Sequence, residues 1–140
     1  MTIRIKKLDG ERQMEARNEE GGAVRMDGTR EIGGIEGGMS PMQLLLAAAG
    51  GCSTIDIMNI LEKQKQKFQD IEVEVEGDRQ KKDTYSEFTR IHLHYTLYGD
   101  LSPKKVERAI SLSLNKYCSV SKALEKTSTI THSYEIKESD

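Results

Sequence analysis

The sequence predicts an α+β fold in the element order β-β-β-α-β-β-α-α-β, with helices grouped against antiparallel strands rather than alternating with them. Three observations carry this. Short alternating runs broken by glycine turns open the chain, two Ser-Pro pairs each start a helical segment, and two longer alternating runs between those helices match as a hairpin. The 140 residues fit one domain, 1–140, long enough to bury a core without disulfides or metals.

In chain order, residues 2–8 and 12–17 are short strands separated by Asp9-Gly10, a hairpin dipeptide. A turn at Gly21-Gly22 leads into AVRMDG, a strand closing at Asp27-Gly28. The next stretch, TREIGGIEGGM, has four glycines in eleven residues and reads as a mobile loop. It is only superficially like a phosphate-binding loop, because it lacks the Gly-Lys-Ser/Thr ending.

Ser40 suits an N-cap and Pro41 the first helical position, opening a helix expected to reach about Lys65. Its sequence, SPMQLLLAAAGGCSTIDIMNIL, is apolar nearly all round and needs cover on every side. Gly50-Gly51 in its middle costs roughly 1 kcal/mol per glycine relative to alanine, which implies close approach by another backbone. Both features lead to the expectation of a homodimer with a shared core. The unbroken apolar stretch at 44–49 is too short to span a bilayer.

IEVEVEG places Ile71, Val73 and Val75 on one face, and FTRIHLHYTLYG places Ile91, Leu93, Tyr95 and Leu97 likewise. Glu72, Glu74 and Glu76 then oppose Arg90, His92 and His94 on the outer face, with the polar GDRQKKDTYSE as connection. Ser102-Pro103 starts a helix through PKKVERAISLSLNKY; Cys118, a short helix SVSKALEK and a final strand TITHSYEIK follow.

With 21 basic and 23 acidic residues and no basic stripe, nucleic acid is not an expected partner. MTIRIKKLDGE holds no apolar run for export, so a cytoplasmic location is expected, where a permanent disulfide is not. The two cysteines, Cys52 and Cys118, are therefore either inert core residues or reactive thiols. Cys52 lies inside the apolar helix, with Asp56 one turn on opposing a thiolate. Cys118 falls at the start of a helix, where free N–H groups and the hydroxyls of Ser119 and Ser121 favour a thiolate. If the sulfurs meet, one can attack a peroxide and the other can resolve the sulfenic acid. His92 and His94 share one strand face, but only His132 remains as a further histidine, so no metal site and no cofactor are expected.

SPMQLLLAAAGGCS, followed much later by KYCSVSKALEK and a closing THSYEI strand, resembles the OsmC/Ohr family, closest to its YhfA-like branch. The resemblance spans almost the whole chain. It implies an intertwined homodimer in which antiparallel sheets from both chains wrap two long central helices. It also implies reduction of organic hydroperoxides, with Cys52 as the attacking thiol, Cys118 as the resolving thiol, and a lipoyl-type dithiol as reductant. The family's activating Glu and Arg correspond here to Met42 and Gly22; Arg17, Arg25 and Arg30 are the nearby substitutes. The rivals are a non-catalytic protein on the same scaffold, binding a small hydrophobic or thiol ligand at the dimer interface, and a thiol redox sensor.

Overall fold

The computed structural model describes residues 1–138 and contains two compact units, Met1–Leu45 and the remainder from Leu46. In the first unit, β1 (Arg4–Lys7), β2 (Met14–Arg17) and β3 (Ala23–Met26) form an antiparallel sheet in that order. The strands are shorter than the alternation suggested, because only four residues of each pair before the turns take over. Gly10 and Gly21 sit in those turns at φ 104° and 92°, a backbone region that side chains resist.

The glycine-rich segment is not simply mobile. Asp27, 1% exposed, accepts backbone N–H groups from Gly28, Ile35 and Gly37 at 2.7, 3.0 and 2.9 Å. Within the loop so gathered, Arg30–Ile32 makes one 3₁₀ turn that ends on Gly33 at φ 94°. The linear pattern marks Asp27 only as a turn residue; its carboxylate ties the loop ends together.

Helix α1 (Pro41–Lys63) runs from the first unit into the second. Its start is a reciprocal cap: Gln43 N–H donates to Ser40 Oγ and Ser40 N–H donates to Gln43 Oε1. In length and composition α1 is sufficient to cross a bilayer, contrary to the expectation from the stretch 44–49. Only 28% of its most apolar 18-residue window is buried within this chain.

The second unit carries a sheet of β4 (Asp70–Lys81), β5 (Ser86–Tyr98) and β6 (Thr129–Lys137), in that order. β4 and β5 pair antiparallel with Glu74 opposite His94 and Glu76 opposite His92, as the alternation implies. Pairing continues through the polar connection, so that only residues 82–85 turn the hairpin. One pairing departs from the antiparallel expectation: β6 lies parallel to β5, from Arg90 opposite Thr129 to Tyr98 opposite Lys137. The intervening helices carry the chain back to the end of the sheet where β5 began, and a crossover of this kind delivers a parallel strand.

These intervening elements are α2 (Pro103–Leu112), a π-helical turn (Ser113–Tyr117) and α3 (Ser119–Leu124). Ile57 and Leu61 of α1, Ile91, Leu93, Tyr95 and Leu97 of β5, and Val106, Ala109 and Ile110 of α2 are fully buried and form the core. Gly50 explains how closely α1 lies on this sheet: a Cβ there would stand 2.9 Å from Val75 Cγ2 and 3.4 Å from Val73 Cγ1. The close approach inferred from Gly50 is thus made by side chains of the chain's own sheet. Gly51 faces open space.

Candidate thiol site

Three elements of the second unit place the site. Cys52 and Asp56 are four residues apart on α1, so helical geometry puts both on one face. Cys118 is the N-cap of α3, extended at φ −73° and ψ 106°, and ends the π turn through its N–H to the Ser113 carbonyl at 2.7 Å. The sulfurs of Cys52 and Cys118 and a carboxylate oxygen of Asp56 all lie within 4.8 Å of one another. Two thiols 66 positions apart in the chain (118 − 52) are thereby brought together, which spacing along the chain does not disclose.

The thiols differ in environment. Cys52 is half-buried, whereas Cys118 is fully buried. Ser121 donates to the Cys118 sulfur twice, from its hydroxyl at 3.2 Å and its backbone N–H at 3.4 Å. Burial nevertheless dominates and pushes the Cys118 thiol above its ordinary value; the Ser121 donors pull it down, and the adjacent Cys52 pushes it further up. The start of α3 therefore supplies hydrogen bonds to the Cys118 sulfur, as expected, but burial reverses the expected net direction. Among the described hydrogen bonds to this sulfur, Ser121 is the donor and Ser119 makes none.

Ser53, next to Cys52 in the chain, belongs to a network of buried hydroxyls. Ser53 Oγ donates to the Ala49 carbonyl at 2.8 Å, which leaves the Tyr95 hydroxyl to donate to Ser53 Oγ at 2.6 Å. Burial raises the Tyr95 phenol well above its usual range, so it stays a neutral donor. Ser113 Oγ lies 3.1 Å from the Ser53 carbonyl and 3.4 Å from Asp56 Oδ2, joining the π turn to α1. Ser53, Tyr95 and Ser113 are not among the residues expected at the site from sequence. Their signal was a hydroxyl at an otherwise apolar buried position.

The other candidates are engaged with partners of their own. His92 shares hydrogen bonds with Thr131 and Ser133 at 2.7 and 2.8 Å, and His94 with Ser133 at 2.7 Å, so both are tied to β6 hydroxyls. His132 meets Glu107 at 3.0 Å. In the first unit, Arg17 pairs with Glu15, and Arg30 with Glu36 at 2.9 Å. Met42 occupies the first turn of α1 and Gly22 the β2–β3 turn, so neither position supplies a charge.

A sequence model of the OsmC-like protein family matches residues 33–133. Protein YhfA of Escherichia coli K12 is 48% identical over 98 residues, 69% of this chain and 72% of that protein. A hypothetical protein of Aquifex aeolicus has a crystal structure at 28% identity and TM-score 0.82, covering 100% of this chain and 99% of its own. A structure of an organic hydroperoxide resistance protein OsmC from Legionella pneumophila aligns at 21% identity and TM-score 0.73, over 96% and 97% of the two chains. At that identity the likeness shows the shared fold.

Proposed function

Since the chain belongs to the OsmC-like protein family, we propose that it is a cysteine-dependent reductase of organic hydroperoxides, with Cys52 attacking and Cys118 resolving. The observation that carries this reading is the approach of the two sulfurs to within 4.8 Å, one half-buried and one fully buried. The half-buried thiol is the one a peroxide can reach. The name of the Legionella relative, a hydroperoxide resistance protein, supports the same class of substrate.

In the proposed cycle the Cys52 thiolate attacks one peroxide oxygen; an S–O bond forms, the O–O bond breaks, and the alkoxide takes a proton and leaves as the alcohol. The Cys118 sulfur then attacks the Cys52 sulfenic acid, forming the disulfide as water departs. An external dithiol, of lipoyl type, returns both thiols by exchange. The net reaction consumes one hydroperoxide and one dithiol and yields alcohol, water and the oxidised dithiol. Ser121 holds the resolving sulfur through two donors, and Ser113 fixes the π turn that presents it.

Consumption of cumene hydroperoxide by the reduced protein, with a lipoyl dithiol as reductant, tests the reading. Cys52→Ser is expected to lower turnover at least about a hundredfold, the scale on which loss of a nucleophile acts. Cys118→Ser is expected to stop at a Cys52 sulfenic acid that dimedone traps, with no intramolecular disulfide. Unchanged turnover in Cys52→Ser would refute the assignment.

A further inference from the structure

We propose that Cys52, Cys118 and Asp56 together form a binding site for a thiophilic divalent cation, with zinc the ion that fits. The three donor atoms already lie within 4.8 Å of one another. Around zinc, sulfur and oxygen ligands at ordinary bond lengths are separated by roughly 3.6–3.8 Å, so a closure of about 1 Å brings all three donors onto one ion. Two thiolates and one carboxylate are a donor set suited to zinc, and three protein ligands leave a fourth position for water.

Charge and supporting contacts point the same way. For thiolate chemistry Asp56 is the wrong charge, since a carboxylate beside two sulfurs repels a thiolate. A cation inverts that relation, and all three groups become complementary to it. Two of the three ligands already have outer partners of the kind that orient metal ligands. Ser121 donates to the Cys118 sulfur at 3.2 and 3.4 Å, and Ser113 Oγ, which also lies 3.1 Å from the Ser53 carbonyl, stands 3.4 Å from Asp56 Oδ2. Cys52 and Asp56 are half-buried, which leaves a route of entry, while Cys118 closes the base.

Binding breaks two S–H bonds and forms two zinc–sulfur bonds and one zinc–oxygen bond. Two protons pass to solvent, no electron is transferred, and zinc remains divalent. The consequence for activity rests on the peroxidase reading: zinc engages the lone pairs of both sulfurs, so peroxide attack and disulfide formation stop together. The binding itself does not depend on that reading.

The test is titration of the fully reduced, full-length protein with Co²⁺, followed by displacement with Zn²⁺. The expected result is a thiolate-to-cobalt charge-transfer band that saturates at one ion per chain and disappears on adding Zn²⁺. Cys52→Ser and Cys118→Ser are expected to abolish it. Asp56→Asn is expected to weaken binding at least tenfold, and Ser113→Ala about tenfold, as loss of an outer partner does. Circular dichroism of each variant identifies any that fails to fold, in which case Asp56→Glu, which keeps the carboxylate, is expected to retain the band. No band in folded, reduced protein overturns the site. An unchanged affinity in folded Asp56→Asn also overturns it, since a bare thiol pair would then suffice. Absence of hydroperoxide turnover in metal-free protein would defeat the peroxidase reading and leave the cobalt result standing. Turnover without a cobalt band would do the reverse.

Discussion

At Asp27, three backbone N–H groups and the Gln13 side chain converge on one carboxyl group. The Gly37 N–H does most to hold its pKa below the ordinary aspartate value; burial opposes it, and Ile35, Gly28 and Gln13 add to the lowering. A depressed folded pKa means that this contribution is complete above the ordinary aspartate value and is lost as pH falls through the lower, folded one. Protection of the amides of residues 28–38 against hydrogen exchange, relative to the intrinsic rate at each pH, is therefore expected to fall on acidification below the ordinary aspartate range. Asp27→Asn is expected to exchange faster at neutral pH and to lose that acid step. An acid step that persists in Asp27→Asn would assign it to another group. The same scale holds the least legible part of the thiol site. Ser53 and Ser113 are unremarkable letters in a chain rich in serine, and only burial forces their hydroxyls to find partners.

At the scale of elements, alternation and capping gave the strand and helix identities, because both depend on neighbours in sequence. Ser40 and Gln43 cap α1, and β4 and β5 pair in the register that sets glutamates against histidines. What escaped is where tertiary packing overrides the local period. The end of the second long helix is a π turn, a form that a 3.6-residue pattern does not disclose. Gly77 is a further case, a glycine inside a strand. A Cβ there would meet Phe88 Cε1 at 2.6 Å, Phe88 Cδ1 at 2.8 Å and Leu46 Cδ2 at 2.9 Å. Gly77→Ala is thus expected to destabilise the protein by about 1–3 kcal/mol, as overpacking does, measured as a lowered urea midpoint. A midpoint equal to that of the parent would show that Phe88 and Leu46 yield freely.

At the scale of the molecule, α1 presents more apolar surface than one chain covers: Ile55 is 57% exposed and Leu45 40% exposed. Ile3 and Ile5 of the first unit are similarly open, at 54% and 59%. Large exposed apolar surface marks an association site. We propose a second copy of this chain as its cover, in keeping with the homodimer that the apolar helix suggests. Light scattering after size exclusion is expected to give twice the 15.8 kDa chain mass. Ile55→Glu is expected to shift that equilibrium toward monomer or to destabilise the protein. A monodisperse 15.8 kDa species in the parent protein would remove the proposed interface.

The linear order of residues determined the α+β class, the order and type of the elements, the capped apolar helix and the two cysteine segments that carry the family resemblance. Each of these depends on residues close in sequence, whose preferences act before the chain has folded. The tertiary structure alone decided that β6 runs parallel to β5, that Asp27 gathers the glycine-rich loop, and that Cys52, Asp56 and Cys118 meet. Those contacts join residues separated by loops and whole elements. Their free energy comes from burial and from the need to satisfy buried polar groups, and neither leaves a period in the sequence.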